Sequence, residues 1–446
     1  MKFLRRLSAT LLLALVVAPA SAQPAVTLLA EKALPIDESG LPGEGALRRY
    51  DGYVKTWHAS RSRWATQIKQ DQNAIVFLGD SITQGWGPGF KGHFTGMKLA
   101  NRGIGGDTTR GMLIRLEEDV LSLTPSAIVL LLGTNDIEVG IEPAAIGRNF
   151  EKILRAIKAR YPITPIVLCR IFPSATEKKR PADTIRQVNA LFEAAAKGDP
   201  QITVVDTWTL FANATGDADP TWFRDLLHLH EAGYTRWAAA LHPIFATLGF
   251  VDNTDDAFTP EPGFISLFNG RDLSGWGFRP TPPRPAAKMK AGGPEFAVVK
   301  NAVSFDGQTA SIDGRYRAIH GRLVAVTPPE GRRIQQLWTT REFDDDFILK
   351  LEFRATPNAD SGVFIRQPQL QVRDYLLAGP YKELKNYRAQ DWNEVIVTVR
   401  AGVAHATCNG ELLTDNLKVP ATGPIGLEGD RGQVEYRRIR LKPLTP

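Results

Sequence analysis

The sequence predicts an α/β domain built on a parallel sheet, followed by an all-β domain. Between residues 73 and 250, short apolar runs alternate with amphipathic stretches, the pattern of a parallel sheet covered by helices on both faces. After residue 263, polar and apolar residues alternate as in half-buried antiparallel strands. A chain of 446 residues is longer than a single hydrophobic core ordinarily supports, which favours two domains.

The elements of the first domain follow from its apolar periodicity. Five apolar runs are the predicted strands of the parallel sheet: 74–78, 98–101, 127–132, 166–171 and 202–205. Helical spacing predicts the helices that cover it: 50–70, 109–123, 150–159, 182–196 and 232–248. In the second of these, Leu113, Leu116 and Val120 recur on one helical face. We therefore assign residues 23–250 to the first domain.

The second domain, residues 263–446, is predicted to be an antiparallel sandwich. Residues 347–354 place Lys350, Glu352 and Arg354 at every second position, and residues 395–400 alternate almost as regularly. The residues at 408–410 are typical of a tight turn between strands. Residues 251–262, which are polar and contain prolines, are the predicted linker between the domains.

Residues 1–22 have the features of a secretory signal peptide. A cationic start is followed by an apolar run of about half the length that a membrane span needs, and then by a small-residue cleavage site at 20–22. We expect an exported, periplasmic or secreted protein with no integral membrane segment after cleavage. The net charge of +6 falls to +3 once Lys2, Arg5 and Arg6 are removed. A net charge this small does not indicate a nucleic-acid partner.

The cysteine and histidine content predicts no metal or other cofactor. Cys169 and Cys408 each lie in an apolar or strand-like run, which favours two small buried side chains over a disulfide between the domains. The seven histidines include no pair with metal-ligand spacing and supporting ligands.

Ser81 is the first residue with catalytic potential. It follows the apolar strand at 74–78, where open α/β folds place their ligands, and a helix is expected to begin beside it. Serine is also a favoured residue at helix starts, so this position alone does not identify a nucleophile.

Three further segments follow predicted strands or enter the last helix. They are residues 101–108 (NRGIGGDT), 133–136 (GTND) and 225–229 (DLLHL). Because the carboxyl ends of parallel strands meet at one edge of a sheet, we expect these segments to converge with Ser81. Separately, the glycines at 105 and 106 could form a simple turn and Asn135 an Asx turn. The aspartates at 80, 107 and 136 are expected to tie the loops together.

In this order the four segments resemble the sequence blocks of the SGNH hydrolases, the GDSL esterase and lipase superfamily, over about residues 50–250. The resemblance implies a flavodoxin-like three-layer α/β/α fold. It makes Ser81 the nucleophile, His228 the base and Asp225 its partner, with oxyanion donors at Ser81, Gly106 and Asn135. The chemistry is consistent, because a serine hydroxyl needs an imidazole base and a tetrahedral oxyanion needs donors that are already in place.

Residues 263–444 resemble the 3-keto-disaccharide hydrolase family, also called domain of unknown function 1080. The segments that carry the resemblance are 264–276, 351–354, 360–366, 391–393 and 423–427. The resemblance implies a concanavalin-like jelly roll with carbohydrate as its ligand. Two positions depart from the family pattern: Gln369-Leu370-Gln371 replaces a Glu-x-Gln strand, and Arg431 replaces a histidine.

These departures favour glycan binding over cleavage, because glutamine cannot act as a general acid or base. Glu352, Arg366 and Trp392 are the candidate glycan contacts. Alternatively, Trp392 belongs to the core, and Glu352 and Arg366 form a cross-strand ion pair.

The leading functional hypothesis is a serine esterase that removes acetyl or similar small acyl groups from a carbohydrate, with a small molecule or polysaccharide ester as substrate. A second hypothesis is a lysophospholipase or a lipid esterase similar to platelet-activating-factor acetylhydrolase. A third is a glycan-binding or 3-keto-glycoside-cleaving protein whose main functional unit is the second domain.

Overall fold

The computed structural model describes residues 32–251, 258–281, 299–326 and 335–444. The signal peptide predicted at 1–22 and half of the predicted linker at 251–262 lie outside these ranges. No helix in the described ranges is long and apolar enough to cross a bilayer.

The first domain is a five-stranded parallel sheet with helices on both faces. Its strands, β1 to β5, lie in the order β2-β1-β3-β4-β5, which is the flavodoxin-like arrangement. Their bounds are Ile75–Gly79, Leu99–Gly103, Ala127–Leu131, Ile166–Cys169 and Ile202–Val205. All five predicted strands are therefore present, with ends displaced by at most two residues.

Helices α1 to α8 cover this sheet, and the longer ones agree with the predicted positions. Their bounds are Asp51–Gln67, Ser81–Gln84, Thr109–Asp119, Thr134–Glu138, Pro143–Arg160, Ala182–Ala196, Thr207–Phe211 and Glu231–Thr247. Three 3-10 helices add Gly87–Phe94, Leu121–Leu123 and Thr176–Lys178. Alternate strand residues such as Val76 and Phe77 enter separate cores on the two faces, so the domain has three layers. Cys169 is buried and free, as is Cys408 in the second domain.

The second domain consists of two packed antiparallel sheets. The eight-stranded sheet has the order β17-β16-β15-β12-β19-β10-β9, with β6 paired to β19, and the six-stranded sheet has the order β14-β13-β18-β11-β7-β8. The bounds of β6 to β12 are Ile265–Ser266, Trp276–Phe278, Val303–Ser304, Tyr316–Ile319, Arg322–Ala325, Leu337–Thr339 and Phe347–Ala355. Those of β13 to β19 are Asp360–Ile365, Gln369–Arg373, Asn393–Arg400, Val403–Cys408, Glu411–Lys418, Ile425–Leu427 and Val434–Pro443.

One apolar core is shared by the two sheets. Leu351 and Val397 of the larger sheet and Val363 and Leu427 of the smaller sheet are all fully buried in it. The turn predicted at 408–410 joins β16 to β17, and both Asn409 and Gly410 have positive φ there, as a two-residue hairpin turn requires.

The two domains are joined by specific polar contacts as well as by the chain. Arg322 donates to the Ala246 carbonyl oxygen at 3.1 Å, and Gln433 donates to the Thr247 hydroxyl at 2.8 Å, both near the end of α8. At a second point, the Asn358 amide donates to Asp206 at 2.7 Å. The second domain therefore packs directly against the helical face of the first.

Candidate active site

The candidate site lies at the carboxyl edge of the parallel sheet, where the four sequence blocks meet. Ser81 follows β1 and begins α2, Gly106 lies in the loop after β2, and Asn135 lies in the first turn of α4 after β3. Asp225 and His228 lie in the loop before α8. The topology thus brings together residues that are up to 147 positions apart in the sequence.

Three side chains form one hydrogen-bonded series. The Ser81 hydroxyl lies 2.9 Å from His228 Nε2, and His228 Nδ1 lies 2.8 Å from Asp225 Oδ2. The other carboxylate oxygen of Asp225 accepts from the His228 backbone N–H at 2.7 Å. The same carboxylate therefore holds both the ring and the backbone of His228, which leaves Nε2 directed at the serine.

The electrostatics of this series keep Asp225 ionised. Burial opposes its charged form, but the hydrogen bonds from the His228 ring and backbone outweigh that cost and lower the pKa of Asp225 to about 2. At neutral pH the carboxylate can therefore accept Nδ1–H and fix the tautomer that leaves Nε2 free to take a proton. His230 does not reach Ser81, because its ring nitrogen contacts the Thr221 carbonyl oxygen at 2.6 Å.

The Gly106 loop approaches the nucleophile closely. Gly106 has a φ of +83°, which side chains rarely adopt, and a Cβ at this position would lie 2.6 Å from the hydroxyl of the exposed Tyr50, which would have to move. The loop is attached to α2 because the Gly105 N–H donates to the Gln84 side chain at 2.8 Å. Within the described part of the chain, neither the Ser81 N–H nor the Gly106 N–H has a hydrogen-bond acceptor.

Asn135 is buried and its amide orientation is determined by its neighbours. Its Nδ2 donates to the Asp107 carbonyl oxygen at 3.0 Å, and its Oδ1 accepts from Arg180 at 3.0 Å. Since Nδ2 carries two hydrogens, one remains free for another acceptor. Arg180 also donates to the Thr134 carbonyl oxygen at 3.1 Å, which attaches it to the same turn.

Arg180 was not identified from the sequence. It lies just before α6, outside the four blocks, and a single arginine in a loop carries no pattern that indicates its partners. Burial lowers the pKa of Arg180 to about 10, although the nearby carboxylates Asp80 and Asp225 oppose this shift. The guanidinium therefore remains charged at neutral pH and contributes positive potential beside Asn135.

The aspartates adjacent to the candidate residues do tie the loops together. Asp107 accepts from Tyr53 and from Arg115, each at 2.8 Å, and Asp136 accepts from the Thr109 hydroxyl at 2.6 Å. Asp80 caps α2 by accepting from the Ile82 N–H at 2.8 Å, whereas its second oxygen is buried without a partner in the described chain. Burial raises the pKa of both Asp80 and Asp136 to about 7.

The three candidate glycan contacts of the second domain do not form one site. Glu352 lies on the outer face of β12 and pairs with Arg437 at 2.6 Å, and the Arg437 guanidinium lies 4.0 Å from the Trp392 ring centroid. Arg366 is buried at the end of β13, where it donates to the carbonyl oxygens of Asp345 and Pro420.

The alternative pairing of Glu352 with Arg366 is therefore wrong. Glu352 occupies the outer face of its strand, whereas Arg366 packs over Phe347, whose side chain points into the core. Strand parity places Phe347 and Glu352 on opposite faces of β12, so Arg366, which packs on the Phe347 side, does not pair with Glu352.

Comparison with known proteins agrees with this two-domain organisation. Residues 77–236 match the GDSL-like Lipase/Acylhydrolase family, and residues 263–442 match the 3-keto-alpha-glucoside-1,2-lyase-like domain. Human platelet-activating factor acetylhydrolase IB subunit alpha1 is 29% identical over 213 residues, which is 46% of this chain and 90% of the relative. These matches confirm a GDSL-like lipase/acylhydrolase segment and a 3-keto-disaccharide hydrolase-like segment in the chain.

Two solved structures are similar to part of the chain. A putative platelet activating factor structure from Streptococcus pneumonia has 25% identity and a TM-score of 0.40, covering 43% of this chain and 94% of that one. A putative glycosyl hydrolase from Parabacteroides distasonis has 16% identity and a TM-score of 0.31, covering 43% of this chain and all of that one. The family match of residues 77–236 identifies the chain as a carboxylic ester hydrolase.

Proposed function

We propose that the protein is a serine esterase that uses Ser81 as nucleophile, His228 as general base and Asp225 as the partner of the base. The observation that carries this proposal is the continuous series from the Ser81 hydroxyl through His228 to Asp225, with distances of 2.9 and 2.8 Å. These are the contacts that nucleophilic catalysis by serine requires.

In the first half of the reaction, His228 Nε2 accepts the Ser81 proton while Oγ attacks the ester carbonyl carbon. Asp225 stabilises the imidazolium that forms, and His228 then delivers the proton to the departing alcohol oxygen. In the second half, water loses a proton to His228 and attacks the acyl-enzyme, which releases the acid and restores Ser81.

The oxyanion of each tetrahedral intermediate is proposed to receive three donors: the backbone N–H of Ser81, the backbone N–H of Gly106 and the free amide hydrogen of Asn135. The two backbone donors have no competing acceptor in the described chain, and the amide is oriented in advance by Arg180. Loss of one such donor typically costs about 3–4 kcal/mol of transition-state stabilisation.

We propose that the acyl group is small, most simply acetyl, and that the alcohol is a carbohydrate. The acetylhydrolase relative supports the acyl group. The fused domain at 263–442, with its match to a glucoside lyase-like family, supports the carbohydrate and a glycan at that domain. The signal-like residues 1–22 support action in the periplasm or outside the cell.

A lipid ester is the second candidate substrate, since the same relative is named for a lipid mediator. The two classes separate on acyl length. Acetate release from acetylated polysaccharides, with activity that falls as the acyl chain lengthens, is the expected result. Activity that rises beyond about eight carbons would support the lipid esterase instead.

The nucleophile is tested by Ser81→Ala with p-nitrophenyl acetate as substrate. We expect hydrolysis to fall by at least about 10⁴-fold with no change in folding, because the hydroxyl is half-buried and the helix cap is supplied by Asp80. Ser39→Ala, which alters an exposed serine, is the matched control and should retain full activity. Turnover by Ser81→Ala at the level of the control would refute the mechanism.

A second function is favoured by the match of residues 263–442 to a 3-keto-alpha-glucoside-1,2-lyase-like family. We propose that this domain cleaves 3-keto-glycosides by elimination, in addition to the esterase reaction. The full-length protein should release p-nitrophenol from p-nitrophenyl 3-keto-α-glucoside. Retention of the sugar without release would leave glycan binding as the role of the domain.

A further inference from the structure

The outer face of the six-stranded sheet carries a row of partly exposed aromatic and polar side chains. Trp338 of β11 and Phe364 of β13 lie side by side, with ring centroids 5.2 Å apart. Gln369 and Gln371 of β14 lie on the same face, because their neighbours Leu370 and Val372 point into the core. Glu428, one residue beyond β18, completes the row.

Two glycines form the floor beneath this row. A Cβ at Gly426 would lie 2.6 Å from the Trp338 ring, and a Cβ at Gly362 would lie 2.2 Å from the Gln369 amide nitrogen. The first glycine leaves room for the Trp338 ring over β18, where it lies tilted against Phe364, and the second lets Gln369 extend across β13 towards Glu428. An aromatic surface beside a line of amides and a carboxyl suits a ligand with one apolar face and several hydroxyl groups.

Glu428 is the carboxyl group at the centre of the polar half of this surface. Its Oε2 accepts from the Gln369 amide and its Oε1 from the Gln336 amide at 3.4 Å, while Gln371 donates to Gln369 at 3.0 Å. Burial, together with the nearby charges of Asp430 and Asp360, raises the pKa of Glu428 above its ordinary value, against the opposing effect of the two amides. A carboxyl of this kind is held in one orientation and is a stronger base than a solvated one.

We propose that Glu428 is the acid–base residue of the second domain, acting on a saccharide that lies on Trp338 and Phe364. This inference rests on the elimination reaction proposed above for residues 263–442. It restores the carboxyl that sequence reasoning missed: Gln369 cannot exchange a proton, but it is hydrogen-bonded directly to a residue that can.

The proton balance of the reaction requires no reactant other than solvent. The Glu428 carboxylate takes the proton from C2, which is acidified by the C3 ketone, and the C–H electron pair becomes the C1=C2 double bond. The C1–O bond breaks and its electron pair leaves with the glycosidic oxygen, which lies on the opposite ring face in an α-glucoside and takes a proton from the solvent, while Glu428 returns its own proton to the solvent. The products are an unsaturated keto sugar and the free alcohol, and Glu428 ends in its starting state.

The test uses full-length protein with p-nitrophenyl 3-keto-α-glucoside. Glu428→Gln preserves shape and hydrogen-bonding capacity, so we expect release of p-nitrophenol to fall by about 10²- to 10⁴-fold. Glu383→Gln changes an exposed glutamate of the same domain and is the matched control. Thermal unfolding of each variant reports whether the second domain is folded, and hydrolysis of p-nitrophenyl acetate by the same preparation reports the state of the first domain.

A second pair of variants separates catalysis from binding. Glu428→Asp should recover part of the lost kcat, whereas Trp338→Ala should mainly raise KM by removing the stacking surface. Release by Glu428→Gln at the control rate would overturn the assignment of Glu428 and leave the elimination reaction standing. Absence of release from the unsubstituted protein would overturn both proposals together.

Discussion

The two domains present their polar residues in different ways. In the parallel-sheet domain, the candidate catalytic residues lie in loops and first helical turns at one edge of the sheet, and backbone groups hold them: Asp225 binds the His228 N–H, and Asn135 binds the Asp107 carbonyl oxygen. In the antiparallel domain, Glu428 lies on the face of a sheet and is held by side chains from neighbouring strands. One chain therefore carries a hydrogen-bonded series of residues at a sheet edge and, on the face of another sheet, a carboxyl oriented by side-chain amides.

Asp225→Asn is a severe way to break the first arrangement while leaving the second intact. The variant keeps an oxygen for the His228 backbone, but it favours the wrong imidazole tautomer, so kcat for p-nitrophenyl acetate should fall by about 10⁴-fold. Because the pKa of Asp225 is lowered to about 2, the wild-type carboxylate contributes at every pH at which the protein is assayed.

Glu231→Gln is the matched control for this prediction, because it removes a charge from the exposed start of the neighbouring helix α8. It should retain esterase activity. Cleavage of the 3-keto-glucoside should be the same in both variants, since the second site shares no residue with the first. Equal esterase activity in Asp225→Asn and the control would show that the contact at 2.8 Å has no catalytic role.

The contrast between loops and sheet face also explains what could be predicted from the sequence. The strands of the parallel sheet are short apolar runs between helical stretches, so hydrophobic periodicity predicts all five strands. The candidate residues that follow the strands stand in short contiguous blocks of sequence. Ser81, Gly106, Asn135 and His228 each stand in such a block, and the structure brings all four blocks to one edge.

Glu428 and Arg180 were missed for a physical reason. The outer face of the six-stranded sheet draws one or two residues from each of several segments that are distant in the sequence, so no local pattern connects Glu428 with Gln369, and Arg180 is a single loop residue outside the four blocks. A related reason applies to Arg366, which the sequence offers as a glycan contact or as a partner of Glu352: only the fold shows that its guanidinium donates to the carbonyl oxygens of Asp345 and Pro420. Pairing between distant strands cannot be read from alternation alone.

A smaller effect is expected from Asn135→Ala, which removes one proposed oxyanion donor and leaves the series from Ser81 to Asp225 in place. The expected loss in kcat for p-nitrophenyl acetate is about 10²- to 10³-fold. Asn135→Asp has nearly the same shape but only accepts hydrogen bonds when ionised, so it should lose at least as much. Activity close to wild type in Asn135→Asp would exclude donation by this side chain.

A loss of activity about ten times smaller is expected when the residue that orients the Asn135 donor is changed and the donor itself is kept. Arg180→Met removes the contact that orients the Asn135 amide, and we expect a roughly tenfold lower kcat with little change in KM. Arg180→Lys should recover part of the loss. Arg186→Met, which removes an exposed arginine from α6, is the control. Loss of kcat to the same extent in the control would show a general effect on the helix and not on the amide.

The smallest expected effect is on stability. It concerns Asp80, which caps the helix that begins with the nucleophile Ser81 and takes no part in the proposed reaction. Burial raises the pKa of Asp80 to about 7, so folding favours its protonated form; stability that is present at low pH is lost as the pH rises through 7. Asp80→Asn keeps the acceptor for the Ile82 N–H and removes the buried charge.

The variant should therefore be about 1–3 kcal/mol more stable than wild type at pH 8, and the difference should shrink towards pH 5. Urea unfolding at the two pH values measures it, with the exposed residue changed in Asp415→Asn as control. Asp136, whose pKa is also raised to about 7, remains in the variant, so part of the pH dependence should persist. If the variant is less stable than wild type at pH 8, the charged Asp80 carboxylate does not destabilise the fold, although its second oxygen is buried without a partner in the described chain.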